Sequence, residues 1–118
     1  WNETMVATLG VEPPNDREGV LQDIHWGFGL VGYFPTYTLG NLYAAQLWAT
    51  IGRELPERDA AIARGELRPI LGWLRERIHQ HGGTYVPADL IERATGEPPN
   101  PRYLIEYLAA KYGQVYGF

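Results

Sequence analysis

The side chains of this chain that could do chemistry are gathered in one stretch, Gly19 to Gln46, which reads GVLQDIHWGFGLVGYFPTYTLGNLYAAQ. It holds Gln22, Asp23, His25 and Trp26, four glycines ahead of Tyr33, and Tyr33 and Tyr37 on either side of Pro35. A core helix has no use for that mixture. Imidazole and phenol groups can donate N–H and O–H hydrogen bonds to a substrate, or to an oxygen that gains negative charge in a transition state. His25, Tyr33 and Tyr37 are therefore the candidate catalytic residues, and Gln22, Asp23 and Trp26 are the candidates for binding substrate or orienting the histidine. Each also has a plain structural use. Asp23, three residues before Trp26, suits the cap of a local turn. His25 could be an interior imidazole with its bonds satisfied, and tyrosine is a common core residue with a polar end. Their concentration in one glycine-rich segment favours a site. Tyr33 and Tyr37 would share a face only if helix already runs through both.

Other chemistries are excluded by residue type. The chain has no serine and no cysteine, so triads built on either nucleophile are ruled out. Of the three histidines, His79 and His81 stand two apart at an expected helix end, where they cannot face one direction and are better read as solvated residues near a negative helix terminus. No His-Glu-x-x-His helix, cysteine pair or acidic calcium loop occurs, so this chain by itself is expected to supply no metal ligands. Gly27, Gly29 and Gly32 spell Gly-x-Gly-x-x-Gly. No strand precedes them and no βαβ unit surrounds them, so a dinucleotide site is rejected.

The elements that must position these residues all read as helical. Trp1, Met5, Val6 and Leu9 recur at helical spacing, closed by Gly10. A loop with adjacent prolines follows. Glycines at 27, 29 and 32 would each cost a helix about 1 kcal/mol relative to alanine, so Gly19 to Phe34 is expected to be irregular and closely approached by another group. Pro35 opens a helix that is apolar nearly all round from Tyr37 to Ile51 and so is expected to be buried. A turn at Pro56 leads to a short helix ending near Gly65. Leu67, Ile70, Leu71, Leu74 and Ile78 then form one stripe of a surface helix. Ala88 to Thr95 is a short helix stopped by Gly96. Asn100 as cap and Pro101 at the first helical position start the last helix, with Leu104, Ile105, Leu108, Tyr112 and Val115 as its expected buried stripe. The fold class is all-α.

With 118 residues the chain can bury one real core, so one domain or one piece of a larger one is expected. A net charge of −4 provides no basic patch for phosphates, which argues against nucleic acid. The absence of cysteine fits a reducing compartment, and a cytoplasmic location is expected. The longest mainly apolar run, Leu42 to Ile51, falls short of the roughly 20 residues a bilayer needs, so no membrane association is expected. The sequence opens at Trp1 without an initiator methionine, seemingly at the edge of a helix, which suggests a fragment.

The string Gly19-Val20-Leu21-Gln22-Asp23-Ile24-His25-Trp26 resembles the Gly-x-x-Gln-Asp-x-His-Trp motif of the carboxypeptidase Taq family of zinc metallocarboxypeptidases. Gly32-Tyr33-Phe34-Pro35-Thr36-Tyr37-Thr38-Leu39-Gly40, with Ala44-Ala45-Gln46 after it, is similar to that family's second C-terminal signature. The resemblance implies that residues 1–118 are a single C-terminal helical segment of a larger enzyme. It further implies a zincin-like, mostly helical peptidase with a deep groove, a zinc ion in the intact enzyme held upstream of this chain, and a cytoplasmic homodimer. The implied activity is release of single residues from peptide C-termini with broad specificity. Here His25 would face substrate, Tyr33 or Tyr37 would face the tetrahedral intermediate, and Gln22 and Asp23 would position His25. After Trp26 the chain is more apolar than the family's usual polar stretch, reading Gly27-Phe28-Gly29-Leu30-Val31. The alternative is a non-catalytic helical binding or interaction domain related to that family. A His-Glu-x-x-His helix upstream of Trp1 would favour the enzyme.

Overall fold

The computed structural model describes residues 1–117. Among the described residues there is no strand, and the chain is all-α. Residues Trp1–Thr36 form one compact unit, and the chain from Tyr37 onward forms a second.

The first unit opens with α1 (Asn2–Leu9), which ends because Gly10 turns left-handed at φ 68° and donates its N–H to the Val6 carbonyl. Val6 and Leu9 remain exposed, so the apolar spacing of α1 buries little within this unit. Two turns of 3₁₀ helix, Asp16–Glu18 and Val20–Gln22, then lead into the single-turn α2 (Ile24–Gly27). Gly19 to Phe34 is therefore irregular, as its glycines imply.

The second unit is organised on α3 (Pro35–Glu54), whose first residue is the expected proline. It is followed by α4 (Arg58–Ala63), α5 (Arg68–Arg77), α6 (Pro87–Thr95) and α7 (Arg102–Tyr116). Left-handed glycines close several of these segments, including Gly96 at φ 86° after α6. The core gathers Ile51 of α3, Trp73 of α5 and Ala94 of α6, with Leu47, Trp48, Ile70, Leu74 and Ile78 packed against them. Burying such side chains contributes about 1.5–3 kcal/mol each.

Three expectations about burial are corrected. First, within this chain α3 is buried only in its C-terminal half: its N-terminal half is exposed, and its buried residues are the polar Gln46 and Thr50 together with Ile51. Gln46 is buried because every polar atom of its amide is bonded. Its Nε2 donates to Thr95 Oγ1 (2.9 Å) and to the carbonyls of Glu97 (3.1 Å) and Pro98 (3.2 Å), while its Oε1 accepts the Asn100 N–H (2.9 Å). That residue fastens the segment between α6 and α7 onto α3. Second, the buried face of α5 is centred on Trp73, whose indole N–H donates to the Glu54 carboxylate at 2.7 Å, whereas Leu67 and Leu71 are exposed. Trp73 falls on the same side as Ile70 and Leu74, and the larger ring takes the centre. Third, α7 buries Tyr103 near its start and half-buries Leu104, while within this chain the rest of the expected stripe, Ile105, Leu108, Tyr112 and Val115, is exposed. Tyr103 donates to the Glu97 carboxylate and accepts from Arg102. This hydrogen bond, together with the charge of Glu97, holds the Arg102 guanidinium above its ordinary range. Asn100 does cap α7, its side chain accepting the Arg102 N–H at 3.0 Å.

Candidate active site

The site is built from short-range bonds within the first unit. Asn15 accepts the Glu18 N–H at 3.0 Å and so caps the first 3₁₀ turn. Gln22 reaches back and donates to the Arg17 carbonyl at 2.6 Å. Between these turns Gly19 is buried: a Cβ there would stand 3.1 Å from the Pro13 side chain, 3.1 Å from the Trp1 ring and 3.2 Å from the Asn15 carbonyl oxygen. A larger residue at this position would have to displace one of these neighbours by a few tenths of an ångström.

Asp23 leaves the second turn in extended conformation and caps α2, its carboxylate accepting the His25 N–H at 2.8 Å. The same oxygen lies 2.7 Å from His25 Nδ1, and both side chains are largely buried, at 18% exposure each. One carboxylate thus both starts the helix and orients the imidazole. With Nδ1–H directed at Asp23, Nε2 is the nitrogen that can face a reacting group, accepting when the ring is neutral and donating when it is protonated.

The chain then reverses. Leu30 N–H returns to the His25 carbonyl at 2.9 Å and Gly29 N–H to Trp26 at 3.1 Å. Gly29 and Gly32 adopt φ values of 70° and 81°, which other residues reach only with strain. Nothing lies within 4 Å of a Cβ built at Gly27, Gly29 or Gly32. The expectation of close approach is therefore corrected at these positions: left-handed backbone calls for glycine at 29 and 32. The reversal lays the Tyr33 ring on His25, with centroids 5.1 Å apart and planes 18° apart, and sets the Phe34 ring edgewise to it at 4.7 Å and 67°. A recess of about 280 Å³ opens here, walled by Trp26, Leu30, Gly32, Tyr33, Phe34 and Pro35, with Asp23 on its lining.

The structure thus brings Asp23, His25 and Tyr33 together and places Trp26 on the recess wall. Gln22 donates to the Arg17 carbonyl and so braces the preceding turn. Tyr37 lies in α3 and belongs to the second unit. Because helix begins only at Pro35, Tyr33 precedes it, and the condition for the two tyrosines to share a helix face is not met. Phe34 and Leu30 are participants that residue chemistry did not single out; an aromatic beside Tyr33 and immediately before Pro35 was the available signal for Phe34. Among the described residues, no three His, Cys, Asp or Glu side chains could hold a metal ion together. The described residues by themselves therefore do not make a metal centre. His81, at the end of the 3₁₀ turn after α5, sets its ring edgewise to Tyr85 at 5.4 Å. Among the described residues no helix is long and apolar enough to cross a membrane.

The model of the carboxypeptidase Taq (M32) metallopeptidases covers residues 1–112, and the chain belongs to that family. Carboxypeptidase 1 of Bacillus subtilis is 51% identical over 116 residues, which are 98% of this chain and 23% of that protein. Thermostable carboxypeptidase 1 of Thermus thermophilus is 50% identical over 117 residues, 99% of this chain and 23% of that protein. The M32 carboxypeptidase structure from Deinococcus radiodurans superposes with a TM-score of 0.93 at 40% identity, covering 100% of this chain and 24% of that one. The chain spans about a quarter of the length of the relatives it matches.

Proposed function

We propose that this chain is the C-terminal segment of a zinc-dependent metallocarboxypeptidase that hydrolyses single residues from peptide C-termini, supplying one wall of the substrate groove. The observation that carries the reading is the Asp23–His25 pair, with the imidazole stacked on Tyr33, in a chain of this family. In this reading Asp23 holds the ring so that His25 presents Nε2 to the scissile carbonyl. His25, carrying a proton on Nε2 as well as on Nδ1, and Tyr33 or Tyr37 donate hydrogen bonds to the oxygen that becomes negative as the carbonyl is attacked, each such donor being worth about 10²–10³ in rate. Trp26 lies against the peptide, and Gln22 steadies the turn before Asp23. Zinc belongs to the intact enzyme and is held by residues outside this chain. The same reading makes the intact protein cytoplasmic and homodimeric, with the remainder of the enzyme as partner for the exposed apolar residues of α3 and α7.

The test is kinetic and uses the full-length enzyme. His25→Ala should lower kcat about 10²-fold or more while zinc content by elemental analysis stays at the wild-type level. Loss of metal from that variant would mean that His25 serves the metal and not the substrate. One of Tyr33→Phe and Tyr37→Phe should lower kcat by about 10² with little change in KM; if neither does, the oxyanion role is wrong.

A further inference from the structure

We propose that Asn15 and Glu18, which lie ahead of the Gly19–Trp26 string, are positioning residues for His25 that act through Gln22 and Asp23. This rests on the carboxypeptidase reading and extends it to residues outside the His25 cluster. Asp23 can aim the imidazole only if its own backbone is fixed. The turn that delivers it, Val20–Gln22, is three residues long. It is closed by the Gln22 N–H on the Gly19 carbonyl at 3.0 Å and the Asp23 N–H on the Val20 carbonyl at 3.4 Å. A 3₁₀ turn of that length has poor hydrogen-bond geometry and little stability of its own. Within this chain Gly19 is the only buried residue between positions 11 and 26, so hydrogen bonds, more than packing, hold the turn.

Those bonds run in one line. Asn15 uses both ends of its amide on Glu18: Oδ1 accepts the Glu18 N–H at 3.0 Å, and Nδ2 donates to the Glu18 carboxylate at 3.1 Å. The second of these is charge-assisted, and together they close the first turn, Asp16–Glu18. The Arg17 carbonyl inside that turn accepts from Gln22 Nε2 at 2.6 Å. Gln22 is joined directly to Asp23, whose Oδ1 meets both the His25 N–H and His25 Nδ1. The two turns also touch at Gly19, where the Asn15 carbonyl oxygen lies 3.2 Å from the place a Cβ would take. A shift of the first turn therefore reaches the imidazole through bonds that span at most five residues. Misplacing a catalytic group by about 1 Å can cost about 10² in rate, so a loosened brace should register in kcat.

The experiment uses the full-length enzyme and reads kcat, KM, zinc content and the unfolding midpoint of each variant. Asn15→Ala should lower kcat about tenfold while KM and zinc content hold. Glu18→Ala should lower it about threefold, and Glu18→Gln, whose side-chain oxygen still accepts from Asn15, should keep the wild-type rate. Asn15→Ala combined with Gln22→Ala should be no slower than the slower single variant, since both cut the same line. Unchanged kcat in either alanine variant overturns the role of that residue, and additive losses in the double variant overturn the line itself. Should Asn15→Ala fail to fold, the two Glu18 variants decide, and an equal loss in Glu18→Gln and Glu18→Ala counts against the bond. A slow His25→Ala beside an Asn15→Ala at wild-type rate overturns the positioning role alone. A wild-type enzyme that releases no C-terminal residue overturns the carboxypeptidase reading.

Discussion

The two units of this chain hold their shape by interactions of different range. In the first, the bonds that set the site join near neighbours: Asp23 to His25, Gln22 to Arg17, Asn15 to Glu18. In the second, they join distant segments: Gln46 to Thr95 through Asn100, and Trp73 to Glu54. Burial follows the same division. Among the described residues of the first unit only Gly19 is fully buried, whereas the second closes a core over Ile51, Trp73, Ile91 and Ala94. Local bonds can aim an imidazole without a surrounding core, so a functional loop can be well ordered at its centre and still present apolar rings outward. Long-range bonds do the opposite work, since each one closes a large loop of chain and is lost as a unit when a partner is removed.

The largest effect expected from this contrast is at Gln46. Gln46→Leu would leave the Asn100 N–H and the Pro98 carbonyl without their Gln46 partner, at a cost of about 3 kcal/mol. It should appear both as a lower unfolding midpoint and as lost hydrogen-exchange protection at the Asn100 amide; full protection there would show that the clamp is not what holds this segment. Next comes Gly19→Ala, which tests the one tightly packed point of the first unit. A methyl forced among Pro13, Trp1 and Asn15 should cost about 2 kcal/mol of overpacking. A neutral result, read in the same midpoint, would mean that the first unit yields without strain and that the contrast is sharper than drawn here. The smallest is Asn100→Ala, where loss of the bond to the Arg102 N–H should cost about 1 kcal/mol. An effect as large as that at Gln46 would place the helix cap, and not the buried amide, at the centre of the clamp.

Much of this molecule was legible from local chemistry. Gly10 and Gly96 end helices because they alone reach the left-handed conformation cheaply, Pro35 opens α3, and Asn100 caps α7. Asp23 is close enough in sequence to cap the turn holding His25, and the fold places it there. The stacking of Tyr33 was not legible. It depends on the course of the backbone through Gly29 and Gly32, and a glycine announces freedom without stating which conformation it takes. Burial was legible least of all. Within this chain, which spans about a quarter of its relatives' length, Leu71, Ile105 and Val115 stand exposed despite their hydrophobicity, while Gln46 and Thr50 are sealed.

The amino-acid sequence by itself therefore determined most of the helices and the capping place of Asp23, because each depends on dihedral preferences and hydrogen bonds that span only a few residues. Tertiary structure alone decided which faces were buried. A side chain leaves water only where another segment meets it, and a polar one such as Gln46 can do so because atoms some fifty residues away in the chain (Thr95 to Asn100) complete its bonds.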